Sequence, residues 1–150
     1  MEFFPLFLRL HDQPVLVIGG GRVAERKVRH LVAAGARVTV IAPTVSAAIT
    51  AIAHSCHVRP ATPDDIQPDF RLVILATDSS ALHDQLSKRC SQMNILYNRG
   101  DDALQSEFVI GSPIDSSPFV GAVIASGSPG VGRLARARME AVLEDRKSTR

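Results

Sequence analysis

This sequence is poor in the features that mark secreted, membrane-spanning or polyanion-binding proteins. It has only two cysteines in 150 residues, Cys56 and Cys90, and neither has a Cys-x-x-Cys partner. That argues against a disulfide framework and a zinc ribbon, and makes a reducing, cytoplasmic setting the expectation. An excess of either charge is also missing. The formal net charge is +2, which supplies no field for non-specific nucleic-acid binding, so no nucleic-acid partner is expected. The N-terminal apolar run, Phe3-Phe4-Pro5-Leu6-Phe7-Leu8, lacks a basic leader, is broken by Pro5 and is too short for a signal peptide or a membrane span. It reads as a short edge strand covering one side of a sheet, with no membrane partner. His54, Cys56 and His57 form the densest group of metal-type side chains. Their spacing matches no common zinc signature, so no metal site is expected.

What the chain does have is 45% hydrophobic residues, enough to build the core of one domain with an appended arm. It also has a turn with a specific use. The apolar stretch Pro14-Val15-Leu16-Val17-Ile18 runs into Gly19-Gly20-Gly21-Arg22-Val23-Ala24, and the following segment through Gly35 has the character of a helix. Gly19-x-Gly21-x-x-Ala24 is a dinucleotide-binding pattern. The first glycine permits the tight turn, the second lets backbone approach a pyrophosphate, and the small third residue lets helix pack on strand. The exposed N–H groups and the dipole of the new helix then favour phosphate.

The rest of the chain continues in βα units. Gly35 stands where a helix C-cap glycine belongs, and Arg37-Val38-Thr39-Val40-Ile41-Ala42 is a second strand, so the spacing is that of a parallel βαβ unit. A short helix is expected over Val45–Ala53, a third strand over His57–Arg59, and a doubly buried strand over Phe70–Ala76. Thr77-Asp78-Ser79 follows at that strand's carboxyl end, where open α/β sheets bind ligands, and Asp78 or Ser79 can cap the next helix. That helix, Ser80 to Gln92, carries Leu82, Leu86 and Cys90 as its apolar stripe, while His30 and His83 are assigned to solvent-facing helix surfaces. Ile95–Asn98 is a fifth strand. Phe108–Ile110 and Phe119–Ala125 then form a hairpin, and a final helix from Val131 to Glu144 places Leu134, Met139, Val142 and Leu143 on its apolar positions. The fold class is therefore α/β: a Rossmann-type parallel sheet, residues 1–112, with a C-terminal strand-strand-helix arm, residues 113–150. Such an arm is too small to stand alone and should pack on the first part or on a second copy.

The order of motifs resembles one family. Pro5-Leu6-Phe7-Leu8-x-Leu10, Val17-Ile18-Gly19-Gly20-Gly21-x-Val23-Ala24-x-Arg26-Lys27, Ala34-Gly35-Ala36-x-Val38-Thr39-Val40, Ala76-Thr77-Asp78, Asn98-x-x-Asp101, the Phe108 segment, Ser117-Pro118 and Ser128-Pro129 with the Arg-rich helix after it run in its order over nearly the whole chain. They are similar to the siroheme-synthase dehydrogenase/ferrochelatase family, whose members oxidise precorrin-2 to sirohydrochlorin with NAD in siroheme biosynthesis. Some members also insert Fe2+. A typical NAD-binding unit has an acid at the end of the second strand for the ribose hydroxyls. Here Ala42-Pro43-Thr44 stands there, and the family is similar in lacking that acid. No Arg stands there for a 2′-phosphate, so NAD is expected over NADP. The resemblance implies cofactor contacts from Gly19, Gly20, Gly21, Arg22, Val23, Ala42, Pro43, Thr77, Asp78 and Asn98.

It also implies a catalytic role for Asp101. A carboxylate there could accept a proton, orient a pyrrole N–H or escort Fe2+ as a hard oxygen ligand. Taken alone, Asp101-Asp102 after Gly100 is also ordinary turn chemistry, and Asn98 could simply finish its strand. The polycarboxylate substrate calls for cations, and Arg99 is nearest the presumed active loop. Arg133 is a further candidate, although Arg136 and Glu140 at i,i+4 show that the same helix also reads as a solvated face. Ser128 matches the family's serine near the tetrapyrrole. It could equally cap the last helix, and a shift of the one-residue gap before it would put Ser126 in its place. By the same resemblance the arm is the dimerisation segment of a homodimer, and the family's further helical domain is absent from this chain. The competing reading is a non-catalytic dimeric NAD-binding or sensing module, or an inactive fragment of a longer siroheme synthase.

Overall fold

The structure, a computed structural model, describes residues 4–116, 119–124 and 129–148. The chain divides into two compact units, Met1–Val109 and Ile110–Arg150. The first is built on a parallel sheet of five strands: β1 (Pro14–Ile18), β2 (Arg37–Ala42), β3 (Ser55–Val58), β4 (Leu72–Leu75) and β5 (Leu96–Arg99), in the spatial order β3-β2-β1-β4-β5. Strand order reverses between β1 and β4, the topological switch point where doubly wound sheets bind ligands at the strands' carboxyl ends.

Period-two alternation explains how this sheet is buried on both faces. Val15 and Val17, Val38 and Val40, Leu72 and Ile74 pack with Ala24, Val28 and Leu31 of α1 (Arg22–Ala33) and with Ile49 of α2 (Ala47–Thr50). The intervening Leu16, Ile18, Ile41, Val73 and Leu75 face the other way, against Leu86 and Cys90 of α3 (Ser80–Gln92). Burial also pushes the Cys90 thiol up to about 12, so it is an inert core residue. Side-chain caps start two of the helices: Ser46 Oγ accepts from Ile49 N and Ser79 Oγ from Leu82 N, each at 3.3 Å. Gly35, at φ +80°, closes the chain after α1 in the left-handed region that favours glycine.

Several boundaries differ from the sequence reading. Residues 4–10 form no strand, and the sheet's edges are β3 and β5. Leu8 and Leu10 instead cover the α1 face of the core as irregular chain. The third strand lies over Ser55–Val58 because its register is set by pairing with β2, Thr39 opposite Ser55 and Ala42 opposite Val58. His83 is fully buried, not at the surface, because it shares its side of α3 with Leu86, Ser87 and Cys90.

The expected strand at Phe108–Ile110 is irregular chain. Glu107 N donates to Tyr97 O, Asn98 Nδ2 donates to Phe108 O, and the Phe108 ring packs on the α1-side core. These contacts tie the segment to the first unit, and the hairpin forms further on. In the second unit β6 (Ser112–Ser116) pairs antiparallel with β7 (Phe119–Val123), and α4 (Pro129–Ser148) follows. Arg136 and Glu140 form the i,i+4 pair at 2.9 Å. Three of the four positions expected to be apolar contacts on α4 are open, Leu134, Met139 and Val142 each being more than half exposed, while Leu143 is half-buried.

Candidate nucleotide-binding and active site

The carboxyl ends of β1, β2, β4 and β5 are drawn together by backbone hydrogen bonds. Gly19 N donates to Ile41 O at 3.0 Å, Ala76 N to Ile18 O at 2.7 Å, and Gly100 N to Leu75 O at 2.7 Å. The three glycines of the turn have different reasons to be glycine. Gly19 has φ +131°, and a Cβ there would lie 2.2 Å from Ala76 O. A Cβ on Gly20 would lie 1.9 Å from Thr44 O. Around Gly21 a Cβ would meet nothing within 4 Å, so the position that must admit a pyrophosphate opens onto free space. Gly21 is also the N-cap of α1 and offers no side-chain cap. The first-turn N–H groups of Arg22, Val23 and Ala24 are therefore available to an anion. These features fit a dinucleotide.

The other expected cofactor residues are distributed around the same edge. Ala42 is buried at the end of β2, while Pro43 and Thr44 are exposed just beyond it. Asp78 is exposed, and Thr77 is half-buried, its Oγ1 accepting from Ser79 N at 3.3 Å. Asn98 is buried with both ends of its amide occupied: Oδ1 accepts from Lys27 Nζ, and Nδ2 donates to Phe108 O at 2.9 Å. Burial, with the charge of Arg26, pulls Lys27 down to about 8.

On the α3 side of the sheet lies a compact ionic cluster. Arg99, the expected substrate cation, is 6% exposed and already committed within it. Its Nε and Nη2 donate to Asp101 Oδ1 and Oδ2 at 3.1 and 2.9 Å, and Nη1 donates to Asp84 at 2.7 Å and Gln105 Oε1 at 2.8 Å. Asp101 also meets His83, with Nδ1 2.6 Å from Oδ1. The bidentate Arg99 fork holds the Asp101 carboxyl well below the usual carboxylate range, outweighing partial desolvation, and His83 adds to the effect. Asp101 and Asp102 are thereby told apart. Asp102 Oδ1 accepts from Leu104 N at 2.8 Å and its Oδ2 from Gln105 Nε2 at 3.0 Å, which is turn capping.

Arg133 is an exposed residue of α4 in the second unit, and Ser128 lies outside the described residues. Among the described residues no group of three or more His, Cys, Asp or Glu could hold a metal ion, and no helix is long and apolar enough to cross a membrane. The sequence reading missed His83, Lys27 and Asp84. A signal for His83 existed, since it lies at i+3, i+4 and i+7 spacing from Leu86, Ser87 and Cys90.

A doubly wound parallel sheet with an open glycine turn at its switch point defines a Rossmann-type dinucleotide-binding protein. A family model described as NAD(P)-binding matches residues 6–112, and the chain belongs to that family. The chain is 38% identical to siroheme synthase 1 of Aeromonas salmonicida (strain A449), and the match covers 95% of this chain and 31% of that protein. Siroheme synthase of Sodalis glossinidius (strain morsitans) is also 38% identical, again over 95% of this chain and 31% of the relative. The chain thus spans less than a third of the length of these curated relatives. Among solved structures, SirC, precorrin-2 dehydrogenase, superposes with a TM-score of 0.75 at 22% identity, over 93% of this chain and 70% of that one. It shares the fold.

Proposed function

We propose that this protein is a precorrin-2 dehydrogenase that oxidises precorrin-2 to sirohydrochlorin with NAD in siroheme biosynthesis. The observation that carries the reading is a carboxylate, Asp101, fixed by Arg99 and His83 on the same carboxyl edge of the sheet as the open turn at Gly21. Similarity to siroheme synthases over 95% of the chain supports this substrate class. Bound NAD would supply the hydride acceptor for a ring carbon of the substrate. Gly19, Gly20 and Gly21, with the N–H groups of Arg22 and Val23, hold its pyrophosphate; Ala42, Pro43, Thr77 and Asp78 line the positions beside it. Asn98 acts indirectly, holding the Phe108 segment against β5.

The C–H bond breaks with both electrons leaving as hydride, and the substrate releases a proton to solvent. Clamped as an anion, Asp101 is a weak proton acceptor. Its task is to orient a pyrrole N–H and to stabilise the positive charge that develops as hydride departs. Arg99 holds Asp101 in place and balances its charge, and Arg133 and Ser128 are further candidate substrate contacts. Fe2+ is a candidate second substrate, with Asp101 as an oxygen ligand. The protein works in the cytoplasm as a homodimer joined through its second unit.

The test is to supply precorrin-2 and NAD and follow sirohydrochlorin formation by absorbance, comparing the protein with Asp101→Asn. Turnover reduced roughly 100-fold or more in the variant is expected for loss of a preorganised electrostatic contact. NAD binding with no turnover by the unmodified protein would overturn the reading in favour of a sensing module. Adding Fe2+ or Co2+ to sirohydrochlorin tests chelation separately.

A further inference from the structure

α3 buries one polar ring for which the chemistry above names no separate task. His83 has no solvent exposure. Its Nε2 lies 3.2 Å from Thr77 N and 3.0 Å from Thr77 Oγ1, and its Nδ1 lies 2.6 Å from Asp101 Oδ1. A backbone N–H can only donate, so Nε2 carries the lone pair and, in a neutral imidazole, Nδ1 carries the proton. That proton faces a carboxylate, which can only accept. The contact is close but falls short of a well-directed hydrogen bond, and among the described residues Nδ1 has no other partner. One ring therefore spans from the loop after β4 to the loop after β5.

Packing alone does not account for a histidine here. Its neighbours on α3 include Leu86 and Cys90, and an apolar side chain would avoid the roughly 1–3 kcal/mol cost of burying an unsatisfied polar group. The neutral ring offers what an apolar one cannot, an acceptor toward Thr77 and a donor toward Asp101.

We propose that His83 is a positioning residue: protonated on Nδ1, it ties the Asp101 carboxylate to the cofactor-binding Thr77 loop, so that filling the nucleotide site and orienting Asp101 are coupled events. The catalytic half of this inference rests on the dehydrogenase reading. The coupling half concerns NAD binding and stands apart from turnover.

The experiment compares His83→Phe, which keeps a buried ring without polar atoms, with His83→Gln, whose amide supplies both a donor and an acceptor. NAD affinity is measured by calorimetry in the absence of tetrapyrrole, for each variant alone and combined with Asp101→Asn. His83→Phe should weaken NAD binding about 5- to 10-fold and His83→Gln should restore it to within about twofold, with Asp101→Asn having no further effect in the His83→Phe background. With precorrin-2 present, kcat of His83→Phe should fall about 10- to 100-fold with KM for precorrin-2 little changed, as for a misplaced catalytic group. Equal losses in Phe and Gln, additive effects of His83→Phe and Asp101→Asn, or unchanged NAD affinity in His83→Phe would overturn the proposal. If the unmodified protein fails to oxidise precorrin-2, the dehydrogenase reading falls while the binding cycle still decides the coupling. Should the Phe variant not fold, nitrogen-15 NMR of the unmodified protein decides: protonated Nδ1 with unprotonated Nε2 supports the proposal, and any other protonation pattern overturns it.

Discussion

Among single residues, the glycine turn separates folding from binding. A Cβ at Gly20 would strike the backbone carbonyl of Thr44 at 1.9 Å, whereas one at Gly21 enters open space. Gly20→Ala should therefore cost about 1–3 kcal/mol of stability as an overpacking change. Gly21→Val should leave thermal stability nearly intact while weakening NAD affinity by roughly tenfold or more, because its bulk occupies the pyrophosphate's approach. Calorimetric titration and thermal melts on both variants check the contrast. Asp101 makes a second prediction at this scale. Its carboxyl titrates below the usual range when folded, so on acidification the unfolded chain takes up its proton first. The stabilisation from the Asp101 cluster is complete above about pH 5 and fades as pH falls below about 4. Urea unfolding of the protein and of Asp101→Asn from pH 3 to 7 should show a stability difference that narrows toward the acid end. The loss in the variant stays modest because Asp84 and Gln105 still hold the Arg99 guanidinium.

Between elements, Lys27 of α1 is the pin to β5, through Asn98 and on to the Phe108 segment. Burial holds Lys27 at about 8 in the fold, below its ordinary value of 10.5. Between those values the unfolded chain holds the proton that the folded chain has released, so stability rises with pH across that window. Lys27→Met should remove this rise, leaving the difference in urea midpoint between protein and variant to change from pH 8 to 10.5. The elements themselves were largely legible from sequence. Apolar and β-branched runs marked β1, β2 and β4, and glycine marked the start and end of α1, because these are local compositional and steric signals. The displaced elements were those whose bounds depend on a partner: β3 on its register with β2, and the hairpin strand on the capture of Phe108 by the core.

For the whole molecule, the open side chains of the second unit bear on assembly. A cavity of about 430 Å³ is lined by Ile114, Val120, Met139, Val142 and their neighbours, and Val120, Met139 and Val142 are each more than half exposed. A homodimer formed through this unit would cover that apolar surface. Met139→Glu combined with Val142→Glu should then shift the protein to a monomer in sedimentation velocity, with NAD affinity unchanged. A monomeric unmodified protein at every concentration would count against the dimer.

By resemblance, the order of motifs implied Asp101 as the carboxylate to test; the sequence by itself determined the parallel sheet, the glycine turn and that order of motifs. Each of these is written in neighbouring residues or in a fixed spacing along the chain. Only the tertiary structure decided that Asp101 and not Asp102 enters the ionic cluster, that Arg99 and Asn98 are spent within the fold, and that His83 joins two loops. Those outcomes depend on which strand ends and helix faces meet across the sheet. Burial, partners and proton affinity are properties of that meeting, and no local stretch of sequence contains them.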